Sequence, residues 1–337
     1  MQILVTGGLG FIGSHTVIAL LEADFEPIII DNLSNSERFI LNRIEQIAKR
    51  KIKFYEADCL DYSSFEQIFT ENSIEGVIHF AAYKAVGESV AEPLKYYENN
   101  LLSLLYLLRL MEKYQVKQLV FSSSCTVYGQ AEQLPVSEEA PILPALSPYG
   151  NTKQIGEEII RDVVRASQNL QAISLRYFNP IGSHSSGLIG ELPKGVPNNL
   201  VPFITQTAIG IRKELQVFGN DYPTKDGTCI RDYIHVMDLA EAHVKALQYL
   251  QTQNNKLFDF VNIGTGDGAS VMEVIRTFEN VAGETLNYHI APRRKGDVTA
   301  VYADARKAQK LFAWQAKRTL AQALFDAWNW QKNLQNF

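Results

Sequence analysis

Cysteine is scarce in this 337-residue chain: Cys59, Cys125 and Cys229 are odd in number and far apart. That pattern suits neither a disulfide framework nor a zinc site, so no metal is expected and a reducing cytoplasm is the expected setting. A membrane-length apolar run is also missing. The most apolar stretch, Leu101 to Met111, is broken by Ser103, Tyr106 and Arg109 and falls far short of the roughly 20 residues a span needs. The opening residues, Met1-Gln2-Ile3-Leu4-Val5-Thr6-Gly7, show no basic region and no cleavage pattern, which argues against export. Surplus positive charge is absent as well, since 32 Lys and Arg stand against 37 Asp and Glu, a formal net charge of −5. Backbone phosphates demand a basic surface, so nucleic acid is a poor partner, and membrane is none. Any anionic ligand must be met by a few local groups.

What is present is an ordinary globular composition, 46% apolar and 20% charged. At the usual size of roughly 100 to 200 residues per domain, the length suggests about two domains or one large α/β domain with an appendage. Short apolar runs at Ile3 to Val5, Ile28 to Ile30, Ile52 to Tyr55, Val77 to Phe80, Leu119 to Phe121 and Ile173 to Arg176 read as strands. Amphipathic stretches lie between them, such as Phe39, Ile40, Ile44 and Ile47 at helical spacing. Six such units predict an α/β, doubly wound parallel sheet. From about Phe178 to Arg231 regularity fails and Gly, Pro and Asn accumulate, as in large binding loops. An amphipathic segment Val236 to Leu250, a strand-like Phe258 to Ile263 and a final stretch Leu311 to Leu334 follow. The division expected is 1–180 for the sheet and 181–337 for a smaller C-terminal α/β substrate lobe, with part of 230–265 woven back into the sheet.

Gly7-Gly8-Leu9-Gly10-Phe11-Ile12-Gly13 lies between the first strand and an amphipathic segment holding Val17, Ile18 and Leu21. Strand, glycine-rich turn and helix are the context of the Rossmann dinucleotide fingerprint, in which backbone N–H groups and a helix N-terminus approach a pyrophosphate. Asp31 ends the second strand 18 residues beyond Gly13, where a carboxylate accepts hydrogen bonds from ribose hydroxyls and repels a 2′-phosphate. NAD is therefore expected rather than NADP. A P-loop is excluded, because Ser14 stands after Gly13 where a lysine belongs.

Tyr149-Gly150-Asn151-Thr152-Lys153 sets a phenol and an ammonium four residues apart, on one face of a helix. A free tyrosine, with a pKa near 10, is ionised about one part in a thousand at neutral pH. A neighbouring cation, with the positive nicotinamide of NAD, is expected to lower that value and make a usable base. Ser122-Ser123-Ser124 precede the pair at a strand end, without the Gly-x-Ser-x-Gly elbow of a hydrolase, and are expected to orient a substrate alcohol.

The glycine loop, the Tyr149/Lys153 pair and Arg231-Asp232-Tyr233-Ile234-His235-Val236 together resemble the extended short-chain dehydrogenase/reductase family. Within it the chain is similar nearly end to end to the UDP-glucose 4-epimerase family, through His79 to Ser89, Ser122 to Gly129, Arg176 to Pro180 and Pro292 to Asp297. The resemblance implies that Tyr149 removes the proton of a sugar 4-hydroxyl as hydride passes from carbon 4 to NAD. Lys153 would tune Tyr149 and hold the nicotinamide ribose, and Ser124 would hydrogen-bond the reacting oxygen. The 4-keto sugar then turns over and takes the hydride back on its other face, so that NAD stays bound. Gly7, Gly10, Phe11, Ile12, Gly13, Asp31, Asn32, Asn35, Ser36, Asp58, Phe80, Lys84 and Ser122 would line the cofactor, with Tyr177 near the nicotinamide. A UDP-hexose would rest on Asn179, Asn199, Leu200, Phe218, Arg231, Arg294 and Asp297. Two arginines suit a diphosphate and Asp297 suits a ribose diol.

One departure is informative. Some family members carry a bulky Tyr after the Arg-x-Gly-Asp segment and those with a smaller residue also accept N-acetylated sugars, whereas this chain has Val301. His235 and Asp238 follow Arg231 closely and read as a structural loop network. The Leu94 to Tyr114 segment is apolar on more than one face, as in a helix buried in its own fold or one shared with a second subunit, and the resemblance favours a homodimer through it and the Tyr149-bearing helix. Two rivals remain. A nucleotide-sugar 4,6-dehydratase shares the fold, but its subfamily has Asp-Glu where Cys125-Thr126 stand here; a non-catalytic NAD sensor would have no need of Tyr149, Lys153 and Ser124.

Overall fold

A computed structural model describes residues 1–131, 133–294 and 297–334. Lys295 and Gly296 of the Pro292 to Asp297 motif, and the last three residues of the expected second lobe, lie outside the described residues. In chain order the first half is β1 (Gln2–Thr6), α1 (Phe11–Glu22), β2 (Glu26–Asp31), α2 (Phe39–Ala48), β3 (Lys53–Glu56), α3 (Tyr62–Glu71), β4 (Ile74–His79), α4 (Val86–Ala91), α5 (Pro93–Lys113), β5 (Gln118–Ser122), a 3-10 turn at Cys125–Tyr128, α6 (Pro148–Ala166) and β6 (Gln171–Tyr177). The rest is β7 (Asn179–Ile181), α7 (Leu200–Ala208), β8 (Leu215–Phe218), β9 (Ile230–His235), α8 (Val236–Gln251), β10 (Leu257–Ile263), β11 (Gly268–Ser270), α9 (Val271–Ala282), β12 (Tyr288–Ala291), β13 (Ala300–Val301), α10 (Arg306–Phe312) and α11 (Leu320–Leu334).

Seven parallel strands form the main sheet in the order β10-β6-β5-β4-β1-β2-β3. Their apolar runs are continuous because both faces are covered, and successive side chains go to opposite cores. Ile3, Val5, Ile29, Ile78 and Val120 pack with α1, α2 and α8, while Leu4, Ile28, Ile30, Val77 and Leu119 pack with α3, α5 and α6. The six strands read from the first half become seven because β10 pairs with β6 from Leu257↔Gln171 to Ile263↔Tyr177. Side chains blunt the open side of β10: Asp259 accepts from Phe260 N–H, Glu138 accepts from Asn262 N–H, and the Lys307 ammonium donates to the Phe260 carbonyl.

The stretch read as loop after Phe178 contains β7, α7 and β8. Val201 and Ile204 of α7 join Val217, Val274, Ile275, Phe278 and Trp328 in a separate core, which is why a segment rich in turn residues still holds a helix. The final amphipathic stretch is two helices, divided where Ala313 turns left-handed at φ 52°. Smaller sheets join β11, β9 and β13, with β7 beside β9, and pair β12 with β8. Among the described residues no helix is long and apolar enough to cross a membrane.

Candidate active site at the switch point of the sheet

Strand order reverses between β1 and β4, and their C-terminal ends open a crevice of the kind in which doubly wound sheets bind ligands. Thr6, the last residue of β1, ties its two walls together. Its hydroxyl oxygen accepts from Phe80 N–H at 3.1 Å and Ala81 N–H at 3.2 Å, and it pairs with His79 Nδ1 at 2.8 Å. The adjacent Gly7 turns at φ +66°, and a Cβ there would sit 3.0 Å from the Ala81 nitrogen. Gly13 packs α1 directly on the loop, since a Cβ would lie 2.3 Å from the Gly7 carbonyl oxygen. The helix starts at Phe11 and Ile12 with Gly10 as a cap that supplies no side-chain acceptor, and its first turn carries no acid. Its positive end is thus free for an external anion.

Asp31 is buried at the end of β2 and is already engaged. One oxygen accepts from Leu9 N–H at 3.0 Å, the other from Leu33 N–H at 3.0 Å and the Ser36 hydroxyl at 2.7 Å, so the carboxylate joins the glycine loop to the turn after β2. Asn32 donates to Asp58 at 2.9 Å, and Asn35 is exposed on the same turn. Phe80 leans on His243 of α8, 4.7 Å between ring centres. Lys84, at the far rim, pairs with Glu191 at 3.2 Å.

Ser147 caps α6 by accepting from Gly150 N–H, and Pro148 occupies its first turn, so Tyr149 and Lys153 start the helix in a fixed register. Both are buried. The Lys153 ammonium donates to the Ser122 carbonyl at 2.6 Å, and the Ser122 hydroxyl meets the Tyr177 phenol. Ser124 caps the 3-10 turn, accepting from Thr126 N–H at 3.2 Å, and its hydroxyl is close enough to Tyr149 to pull the phenol down. In the chain alone desolvation dominates at Tyr149 and pushes its phenol up to about 12, with Ser124 pulling the other way; the lowering expected of Lys153 and the nicotinamide cation together concerns the loaded site. Desolvation likewise brings Lys153 down to about 8, against the attraction of Glu157.

Arg231 on β9 ion-pairs with Asp297, whose other oxygen accepts from Arg294 at 3.3 Å. Arg294 also stands 5.1 Å from the Phe218 ring centre at the end of β8. One carboxylate thus holds two guanidinium groups together, leaving the cluster net positive. Val301 on β13 pairs in register with Arg231 and packs beside Val127, Tyr128 and Phe178. Asn179 opens β7 opposite Tyr233, and Asn199 precedes Leu200 as the cap residue of α7, its amide donating to Glu191 at 2.6 Å. His235 and Asp238 stay out of the crevice. His235 caps α8 and pairs with Asp326, while Asp238 pairs with Arg318.

Sequence reasoning missed Glu191, which joins Lys84 on the cofactor side to Asn199 on the lobe side; it lies in a Gly- and Pro-rich stretch with no periodicity to mark it. Thr6 and His79 carry no local signal that their side chains meet across the sheet. Arg176, a fully buried cation in an apolar strand, carried a legible signal, since such a charge requires a partner.

A family model described as GDP-mannose 4,6 dehydratase matches residues 4–326. Among curated proteins, the UDP-glucose 4-epimerase of Bacillus subtilis (strain 168) is 53% identical over 333 residues, covering 99% of this chain and 97% of its own. Among solved structures, the Stenotrophomonas maltophila UDP-glucose-4-epimerase with bound NAD and formylated UDP-arabinopyranose superposes with a TM-score of 0.97 at 44% identity, covering 100% of this chain and 99% of that one. The Bifidobacterium longum enzyme in complex with NAD+ and UDP gives 0.95 at 48% identity, with the same coverage.

Proposed function

The chain belongs to the UDP-glucose 4-epimerase family, within the extended short-chain dehydrogenases/reductases, and we propose that it interconverts UDP-galactose and UDP-glucose with NAD as resident cofactor. The observation that carries the assignment of roles is the pair of buried side chains Tyr149 and Lys153 on one face of α6, turned towards Ser122 and Ser124 at the mouth of the crevice. NAD, when bound, supplies a hydride acceptor and donor at sugar carbon 4. The uncapped end of α1, with Gly7, Gly10, Phe11, Ile12 and Gly13, suits its pyrophosphate. Asp31, Asn32, Asn35, Ser36 and Asp58 suit its adenosine side, and Phe80, Lys84, Ser122 and Tyr177 the nicotinamide side.

Tyr149 takes the proton of the sugar 4-hydroxyl and returns it, and Ser124 holds the same oxygen through its hydroxyl. A phenol kept high by burial starts protonated and is a strong base once ionised, so the reaction depends on positive charge gathered near it. Lys153 is the cation that the chain itself supplies. Arg231 and Arg294 bind the diphosphate and Asp297 orients both while meeting the ribose. Asn179, Asn199, Leu200 and Phe218 complete the sugar-nucleotide wall. A 4,6-dehydratase would need an acid and a base at Cys125 and Thr126; burial pushes the Cys125 thiol up to about 12, and the Thr126 hydroxyl is buried without a partner among the described residues. Incubation of purified protein with UDP-galactose and no added NAD, with products identified by NMR, tests the reading. UDP-glucose supports it, and a 4-keto-6-deoxy product would replace it with the dehydratase.

Val301, paired in register with Arg231 where some family members carry a bulky Tyr, supports a wider specificity that includes UDP-N-acetylglucosamine and UDP-N-acetylgalactosamine. Val301→Tyr should cut activity on the acetylated sugars selectively; an unchanged ratio of activities sinks this part. Residues 1–180 with the returning α8 and β10 form the NAD unit, and the rest of 181–337 the UDP-sugar lobe. Leu94 and Leu105 on α5 are exposed, and with α6 alongside they form the face on which a second copy would dock. Light scattering at micromolar concentration should give a dimer, and a monomer contradicts it. Three free cysteines agree with a cytoplasmic setting.

A further inference from the structure

We propose that Glu157 and Arg176 act as a positioning pair that fixes the serine segment Ser122 to Ser124 against Tyr149 and Lys153, through a tether from Glu157 to Ser123. Tyr149, Lys153 and Glu157 follow one another at four-residue intervals on α6, and all three are buried. Ser123 donates to Glu157 Oε1 at 2.6 Å. The residue before it supplies the carbonyl that holds Lys153, and the residue after it supplies the hydroxyl that stands beside the Tyr149 phenol. A single side chain on α6 therefore holds the middle of the segment whose two ends meet the reacting groups.

The pair is built as a fixed support. Arg176 donates to both carboxylate oxygens, from Nε at 2.9 Å and Nη2 at 2.5 Å. Its Nη1 donates to the Tyr128 hydroxyl at 3.1 Å, which donates in turn to Asn262 at 2.7 Å on the returning strand β10. The guanidinium is sandwiched against Phe260, 3.7 Å from the ring centre, and Tyr128 at 4.9 Å. A doubly bonded buried pair brings little net stability compared with apolar packing, because desolving two charges offsets their attraction. Its use is geometric: the planar fork gives the carboxylate one orientation, with one oxygen turned to Ser123.

The proposal rests on the site reading above, and the test separates the two. In the holoenzyme, with UDP-galactose as substrate, Ser123→Ala removes the tether but leaves the ion pair and every reacting group in place. The expected result is a fall in kcat of about tenfold or more, with KM and Tm close to those of the parent. Glu157→Gln keeps an acceptor for Ser123 while removing the anion beside Lys153. It should retain more kcat than Ser123→Ala and move the alkaline limb of the rate profile to lower pH. Tyr149→Phe is run alongside. If Tyr149→Phe is inactive while Ser123→Ala keeps kcat within about twofold of the parent, or loses activity only in proportion to lost folded protein, the tether is overturned alone. If Tyr149→Phe turns over at the parent rate, the site reading falls and the tether with it.

Discussion

Lys153 is anchored to the Ser122 carbonyl at 2.6 Å and lies 4.9 Å from the Phe121 ring centre, while the Tyr149 ring centre is 5.9 Å away. The cation thus belongs to the end of β5 first and to the phenol second. It can share its charge with a ligand without leaving its hydrogen bond.

Activity should fall on the alkaline side as Lys153 loses its proton. The titratable groups around it are Tyr149 and Glu157 on α6, His79 on β4 and Tyr177 on β6. Burial holds both phenols up and His79 down to about 3, which keeps those three neutral around pH 8. Lys153 titrates at about 8, so kcat/KM is expected to drop about tenfold per pH unit above that value, or lower once a nicotinamide cation is bound. Lys153→Met should lose about 10²- to 10⁴-fold in rate together with this limb. Initial rates from pH 6 to 10 decide it; a flat parental profile would contradict the role.

Acid should weaken the fold through its buried histidines. His15 and His79 are held neutral down to about 3 and His243 down to about 4, each mainly by desolvation. Unfolded histidine takes up a proton near 6.5, so below that pH the unfolded state binds more protons and stability declines until the folded values are reached. The urea midpoint should fall between about pH 6.5 and 4. His243→Leu should flatten that fall, because it deletes one of the three buried rings whose protonation drives it.

Two glycine substitutions should separate close packing from mere helix propensity. Gly13→Ala drives a methyl into the Gly7 carbonyl, whereas Gly87→Ala meets nothing within 4 Å among the described residues. The first is expected to cost about 1–3 kcal/mol and to reduce co-purified NAD, and the second to leave NAD unchanged and to raise stability by up to about 1 kcal/mol through helix propensity alone. Thermal melting and the nucleotide content of the purified protein read the two effects. Normal NAD content in Gly13→Ala would contradict the close approach of α1 to the loop.

Arg294 should matter for binding more than for turnover. It stacks over Phe218 and shares Asp297 with Arg231, far along the chain from Tyr149. Arg294→Ala is expected to raise KM for UDP-galactose about tenfold to a hundredfold, the value of one charge-assisted contact, with kcat within a few-fold. Steady-state kinetics distinguish this from a loss of kcat at constant KM, which would place Arg294 in the chemical step.

Local pattern carried the parts of this molecule that depend on neighbours in sequence. Gly7 to Gly13 and Asp31 announce the turn and the strand end because each needs a particular backbone or side-chain type, and Tyr149 and Lys153 share a face by helical spacing alone. What the sequence does not disclose is pairing at a distance. Nothing local in Glu157 points to Ser123 or Arg176, nothing in Glu191 points to Lys84 and Asn199, and the sharing of Asp297 between two arginines arises only when β9 meets the segment after β12. The desolvation that holds the Tyr149 phenol up in the chain alone is hidden for a related reason: charge is visible in a sequence and burial is not.

The return of β10 has a consequence for how the chain is made. Its partner β6 ends at Tyr177, and the residues that complete the sheet begin at Leu257, after the whole α7 to α8 region has been synthesised. During that interval β6 is an open parallel edge of the sort that recruits other chains. A nascent polypeptide halted after β6 would therefore be a hazard to its neighbours, and the gap between these two strands sets the period in which a chaperone has most to offer.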